Sequence, residues 1–443
     1  MTRSADSLIH CQYVIPVIPE GTYLSNHTIV INHGQIIDIL PISDAEKSYQ
    51  AKQILHLNHH ALIPGFINAH THIPMNLFRG LADDLSLMNW LQKHIWQAEA
   101  HVLNEDSAAI GAQLAISEML LSGTTAFCDM YFFTEALIKA TAECKIRAQL
   151  SLHVMNVPNQ WAKNSQECLN KAESILNTLP KHELIGLTIA PQSPYTNDDD
   201  SLQKCREMAS KYKLPLVTHL HETADEISTS IQKHQKRPLK RLDDLGFLGG
   251  DVLAIHMVQA NDEDLDIIQK HNMHVAHCPA SNLKLASGFG PVAQMIDRGI
   301  NVALGSDSVA SNNTLDMMSE MRLTSLIHKG YSQNPKALPA SQVLAMATIN
   351  GAKAMGLGDQ IGSIEKGKKA DLCAIDLSDL STQPCYNPIS SIVYAAGRHQ
   401  VSHVWVNGDL RVKEHKLCDI DHHELLKKAQ PYIDQARQFQ HPK

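Results

Sequence analysis

This sequence predicts a (β/α)8 TIM-type barrel with a small β-sandwich domain formed from both chain ends. Short apolar, β-branched runs alternate with longer helical segments through the middle of the chain, while hairpin-like β text with Asn and Gly turns stands at either end. In addition, metal-capable polar residues close several of the apolar runs, which is where a parallel barrel places its chemistry. The alternation alone also fits a doubly wound sheet.

Taken in order, residues 7–57 read as short strands at 11–17, 28–31 and 35–40, with a turn at Asn32-His33-Gly34 and no helical period. At Leu62 the style changes. Strand candidates follow at 61–69, 124–129, 147–153, 184–190, 214–219, 251–256, 273–277 and 300–305. Between them lie helical segments such as 105–121, 168–179, 198–212, 261–271 and 291–298. Two further helical stretches, 315–329 and 340–355, end at the glycines 356 and 358. β text returns from Gly362 to Asp376, at 401–407, and after the Asn407-Gly408 turn at 410–412; a polar tail from Asp421 reads as a surface helix. Neither β region is large enough for its own core, so 1–61 and 362–443 are expected to build one small domain around a barrel of 62–361.

The 443 residues carry a net charge of −8 with no Lys/Arg block, which argues against nucleic acid or an anionic membrane as partner and favours a small molecule. No cationic leader with an apolar core opens the chain, and no run approaches a membrane span, so a cytoplasmic location is expected. Nine scattered cysteines without a C-x-x-C pair read as reduced thiols.

The organising stretch is Leu62-Ile63-Pro64-Gly65-Phe66-Ile67-Asn68-Ala69-His70-Thr71-His72. In an extended chain residues i and i+2 share a side, so His70 and His72 can put two imidazoles on one ion. Other strand candidates end in His219, with Glu222 three residues on, in His256, in His277 and in Asp307. Three histidines and a carboxylate with an open position suit a divalent first-row metal holding one water.

These residues, with Ile95-Trp96-Gln97-Ala98-Glu99-Ala100, Ala190-Pro191-Gln192-Ser193-Pro194, Pro279-Ala280-Ser281-Asn282-Leu283-Lys284-Leu285 and Gly305-Ser306-Asp307-Ser308, resemble the metal-dependent amidohydrolase superfamily. More narrowly the chain resembles the 5'-methylthioadenosine/S-adenosylhomocysteine deaminases of the triazine-hydrolase-like group. The resemblance implies one divalent metal, zinc first and iron(II) or manganese(II) as alternatives, held by His70, His72, His219 and Asp307, with His221 a neighbour. The fourth strand ends in Gln192 and lacks the carbamylated lysine of binuclear relatives. The resemblance further implies that activated water attacks C6 of an adenine. Asp307 would accept its proton, His256 orient it, and Glu222 protonate the ring nitrogen and serve the departing ammonia. Glu99 would grip the ribose hydroxyls, and Gln192 replaces a histidine that contacts substrate in the family. The segment after Arg147 lacks the arginines that hold the carboxylate of S-adenosylhomocysteine. The expected substrate is therefore 5'-methylthioadenosine, with S-adenosylhomocysteine or adenosine next. Guanine, a pterin or an s-triazine on the same site, and a metal-free scaffold without catalysis, are the competing readings. A homo-oligomer is the expected assembly.

Overall fold

The apolar run at 61–69 serves two sheets, and the change falls at Gly65 rather than at residue 62. The computed structural model describes residues 2–440. At the N-terminal end stand β1 (Arg3–Val14), β2 (Leu24–Asn32), β3 (Gln35–Pro41) and β4 (Tyr49–Pro64). The barrel follows as β5 (Phe66–Thr71), β6 (Thr124–Asp129), β7 (Arg147–Val154), β8 (Ile185–Pro191), β9 (Leu216–Leu220), β10 (Val252–His256), β11 (His274–His277) and β12 (Asn301–Leu304). After it come β13 (Leu372–Asp376), β14 (Val401–Val406), β15 (Asp409–Lys413) and β16 (Lys416–Leu417).

β5 to β12 lie in sequential order in one sheet, every neighbour parallel. A bridge between Thr71 and Asp307 joins the last strand to the first, so the sheet closes into a barrel. Strands such as β6 and β7 are buried at every position, as expected when side chains fill the barrel on one face and helices cover the other. The second sheet has the order β16-β15-β14-β13-β4-β1-β2-β3 and is built from both chain ends. It is mixed: β1 pairs antiparallel with β2 but parallel with β4. β4 and β13 are its seam, with Leu62 opposite Ala374 and Pro64 opposite Leu372. Its own apolar cluster includes Ile9, Ile29, Ile31, Leu62, Leu372 and Trp405.

Gly65 makes the joint possible. A Cβ there would lie 2.1 Å from Thr125 Oγ1, so no larger residue fits between the two sheets, and the Gly65 N–H donates to the Asp371 carbonyl at 2.9 Å.

The helices at 105–121 and from Asp421 onward stand where the sequence places them, as Glu105–Leu121 and His422–Arg437. The first opens on a capping box of Asn104 and Ser107. The expected helix at 340–355 is instead two, Ala340–Met346 and Ile349–Ala354. The break lets the Ala347 carbonyl accept the N–H of Ile67 at 2.8 Å, tying the helices to β5. Unforeseen helices occupy Thr134–Cys144, Ala224–His234 and Pro238–Asp244, and a composite one runs through Leu87–Trp90, a π-turn at Leu91–Ile95 and Trp96–Val102. All nine cysteines are unpaired thiols. No helix is long and apolar enough to cross a membrane among the described residues.

One buried ion pair links the sheets. Arg147, at the start of β7, donates from Nε and Nη2 to the Asp371 carboxylate at 2.8 and 3.1 Å, and Asp371 also accepts the Asn407 N–H at 2.7 Å. Removing one member strands the other charge away from water. Arg147→Ala should therefore cost about 3–5 kcal/mol in urea or thermal unfolding; a loss under about 1 kcal/mol would show that the pair does not join the two sheets energetically.

Candidate active site and metal centre

β5 delivers His70 as its penultimate residue, and His72 follows immediately after its end. Ligand atoms of His70, His72, His219 and Asp307 all lie within 4.8 Å of one another. His70 Nε2 and His72 Nε2 stand 3.3 and 3.2 Å from the same oxygen, Asp307 Oδ1. The ring orientations are set from behind. His72 Nδ1 donates to the Met130 carbonyl at 2.6 Å and His219 Nδ1 to the Gln192 carbonyl at 2.8 Å. A carbonyl only accepts, so both imidazoles carry hydrogen on Nδ1 and turn a lone pair at Nε2 toward the cluster. His70 is fully buried and neither of its ring nitrogens has a hydrogen-bond partner.

The electrostatics fit a cation. Burial pushes His70 down to about 4 and His219 well below its usual value, which keeps both rings neutral and able to coordinate. Burial by itself would raise Asp307, but the His70 and His72 imidazoles beside its carboxylate outweigh it and hold the carboxyl well below the usual range. Three imidazole nitrogens and one carboxylate around a common centre are a donor set for one divalent first-row ion.

Around this centre lies a cavity whose lining includes Trp96, Glu99, Gln192, Glu222, His256 and Asp307. Every residue that the sequence singled out for catalysis or substrate contact thus faces one space. Glu222 is 6 % exposed, and burial raises its carboxyl. Its backbone is anchored by Glu226, whose carboxylate accepts the N–H groups of His221 and Glu222 at 3.0 and 2.8 Å. His256 Nε2 lies 3.8 Å from Glu222 Oε1. Glu99 sits on the Trp96–Val102 helix and accepts a hydrogen bond from the Tyr131 hydroxyl; burial pushes its carboxyl up to about 7.

Two histidines lie elsewhere. His221 follows β9 at φ 53° and turns away from the ligands; its Nε2 accepts the Leu239 N–H at 3.0 Å, and Nδ1 stands 3.3 Å from Asp264. His277 ends β11 but packs against His328, with ring centres 5.5 Å apart, and lines no part of this cavity. The strand-end reading included it because a four-residue strand leaves little pattern from which to tell a buried core histidine from a site histidine.

Several residues of the cavity were given no role from the sequence. Tyr131, His153 and Tyr195 line the cavity. Tyr131 and Tyr195 follow β6 and β8, so the strand-end rule extended beyond metal-capable residues would have found them. Asp129, pushed up to about 7 by burial, accepts the Ile73 N–H at 2.6 Å and steadies the turn that carries His72. Its signal is its place at the carboxyl end of β6.

Comparisons with known proteins bear on the family and the fold. Residues 61–411 match the amidohydrolase family. A 5-methylthioadenosine/S-adenosylhomocysteine deaminase of Saccharophagus degradans is 42% identical over 425 residues, covering 96% of this chain and 95% of that one. A 5'-deoxyadenosine deaminase of Methanopyrus kandleri is 41% identical over 374 residues, 84% of this chain and 86% of the relative. The crystal structure of an adenosine deaminase from Xanthomonas campestris with bound zinc superposes with a TM-score of 0.97 at 39% identity, covering 99% of this chain and 100% of that one. A match through the barrel and most of its flanking sheet, to relatives of nearly the same length, places this chain in the amidohydrolase family, as a hydrolase acting on C–N bonds.

Proposed function

We propose that this chain is a metal-dependent deaminase of adenosine-type nucleosides, converting 5'-methylthioadenosine to its inosine derivative and ammonia. The observation that carries the reading is the single cavity in which Glu222 and His256 flank the His70, His72, His219 and Asp307 cluster at one end and Glu99 stands at another part of the wall. The names of the relatives from Saccharophagus and Methanopyrus support the substrate class, and the zinc in the Xanthomonas structure supports zinc as the metal.

His70, His72, His219 and Asp307 would hold a divalent ion, which would supply Lewis acidity and bring the pKa of a water toward neutral. Asp307 accepts a proton from the attacking water, and His256 orients that water toward C6. Glu222, whose burial favours its protonated form, delivers its proton to ring N1, then takes the proton of the hydroxyl added at C6 and passes it to the exocyclic nitrogen. Water adds across C6 and N1, the C6–N6 bond breaks, and ammonia leaves with C6 as a carbonyl. Glu99, braced by Tyr131, accepts hydrogen bonds from the ribose hydroxyls.

The tail at the 5' position is chosen by what the walls lack. A second cavity of about 320 Å³ shares Trp96 and Glu99 with the first and is lined further by Leu103, Phe132, Met155 and Val157. No Lys or Arg lines either cavity among the described residues. Arg147, the one arginine near the expected segment, is spent on Asp371 at the other end of β7. An uncharged methylthio or methyl group is accommodated; an amino-acid carboxylate loses its hydration without a cationic partner. 5'-Deoxyadenosine shares that uncharged tail and is the second reading.

Ammonia release by the zinc-loaded protein should be fastest with 5'-methylthioadenosine and 5'-deoxyadenosine and at least about tenfold lower in kcat/KM with S-adenosylhomocysteine, since one unpaired charge costs more than about 1.4 kcal/mol. Activity confined to guanine or s-triazines would refute the nucleoside reading. Glu222→Gln should lower kcat about 10²–10⁴-fold without changing the circular dichroism spectrum. Mass-spectrometric metal analysis should find one divalent ion per chain, and His219→Ala should lose it; a wild-type protein that neither holds nor responds to metal would support the scaffold alternative. Because Glu99 must be ionised to accept two hydroxyl donors and its carboxyl is pushed up to about 7, kcat/KM for nucleosides should fall as pH drops through that region. The acid limb should vanish in Glu99→Gln.

A further inference from the structure

The segment Pro279-Ala280-Ser281-Asn282-Leu283-Lys284 supplies no metal ligand, yet two of its residues are buried against Asp307 and His256. It forms a short helix, Pro279–Lys284, one residue after β11. Ser281 and Asn282 are 0 % and 1 % exposed. Ser281 Oγ donates to Asp307 Oδ2 at 2.6 Å, which leaves Oδ1 facing His70 and His72. Asn282 Oδ1 stands 2.9 Å from His256 Nδ1, the one hydrogen-bond partner of that ring among the described residues. The helix is itself tied down: buried Glu320 accepts the Ala280 N–H at 3.2 Å and the Asn312 side-chain amide at 2.8 Å, linking it to the loop that carries Asp307.

His256 is the group for which such a partner matters most. The metal-ligand histidines His72 and His219 have their tautomers set by backbone carbonyls, but β10 ends at His256 with φ 76°, and the backbone carbonyls around it leave its Nδ1 to a side chain. An imidazole with hydrogen on Nδ1 turns a lone pair at Nε2 into the cavity; with hydrogen on Nε2 it turns a donor there instead. The two forms do opposite things to an attacking water: the first accepts its hydrogen and points an oxygen lone pair at the electrophile, the second competes for that lone pair.

We propose that Asn282 is a positioning residue that fixes His256 in the Nδ1–H form through its side-chain carbonyl, so that Nε2 accepts a hydrogen from the attacking water, while the adjacent Ser281 turns Asp307 so that Oδ1 faces the metal ligands. The proposal rests on the roles given above to His256 and Asp307. One helical turn thereby registers two proton-handling groups from different strands, β10 and the end of β12, against each other.

The test uses the full chain loaded with zinc. In wild-type protein labelled with 15N at histidine, the His256 signals, identified by their loss in His256→Gln, should show hydrogen on Nδ1 and an unprotonated Nε2; hydrogen on Nε2 overturns the proposal whatever the substrate proves to be. For kinetics, with the nucleoside that wild type deaminates, Asn282→Ala should lower kcat about 10- to 100-fold, leave KM within about threefold and keep one zinc per chain. Asn282→Asp, which keeps an acceptor at the same place, should recover most of the loss. A merely structural role predicts the reverse order, because a buried carboxylate destabilises more than a small cavity, and an Asn282→Asp enzyme slower than Asn282→Ala overturns the assignment. Wild type without activity on any nucleoside would fail the deaminase reading, and the 15N measurement would still decide the tautomer.

Discussion

The barrel closes on its own metal ligands. Asp307 donates its N–H to the His70 carbonyl at 2.9 Å, and Asp307 bridges to Thr71, so the seam between the last strand and the first runs through two members of the cluster. Asn68 locks the same seam one step away, its side-chain carbonyl accepting the Ser306 N–H at 2.9 Å and its amide donating to Ser306 Oγ at 2.6 Å. Gly305 permits the approach, because a Cβ there would stand 2.9 Å from both the N and Cβ of His70. Asp307 is held at φ 60°, in the left-handed region that costs a non-glycine residue of order 1 kcal/mol or more, and the seam bonds offset it. Closing the barrel and forming the site are thus one event: a chain whose β12 failed to reach β5 would lack both the fold and the carboxylate.

From that closure follows the division of labour among the acids. Asp307 lies beside two imidazoles that outweigh its burial and keep it ionised. Glu222 lies in the same space with one imidazole 3.8 Å away, and burial wins, raising its carboxyl. Environments that push two carboxyls apart in this way fit the roles proposed above, Asp307 as an anion suited to a cation and Glu222 as a proton carrier. The histidines divide similarly. His70 and His219 are kept neutral by burial, whereas at His72 the Asp307 carboxylate beside the ring outweighs burial and raises it.

Much of this was legible in the residues. The i, i+2 pair His70 and His72 and the strand ends at His219, His256 and Asp307 needed only the rule that a parallel barrel works at its carboxyl ends, and the eight apolar runs were visible because strands buried on both faces are written as continuous apolar text. What the pattern could not show were features decided in three dimensions. The division of 61–69 between two sheets depends on the space beside Thr125, which no local period encodes. The composite helix over 87–102 lacks a clean period because its π-turn shifts the register midway. His221 shares its spacing with His219 but sits in a left-handed residue past the strand end, so alternation no longer governs where it points. Asn282 and Ser281 carry no metal-ligand or acid–base signature, and only their contacts reveal a task.

On the proposed reading, attack at C6 has one geometry for every nucleoside, which leaves substrate choice to parts of the cavity away from the metal ligands. Methylthioadenosine, deoxyadenosine and S-adenosylhomocysteine share base and ribose, so the ligand cluster, Glu222 and Glu99 see the same atoms in all three. Discrimination then falls on the 5' substituent, and there the chain offers Trp96, Phe132, Met155 and Val157 rather than a cation. A carboxylate entering this space would lose water and gain no ion pair, whereas a methylthio group would bury apolar area at about 25 cal/mol per Å². Arg147 is the instructive residue here. A guanidinium on the third barrel strand could have served a charged tail from the carboxyl end, but this one lies at the opposite end of β7 and holds Asp371, making it a joint between the two sheets and leaving the substrate end of the strand uncharged.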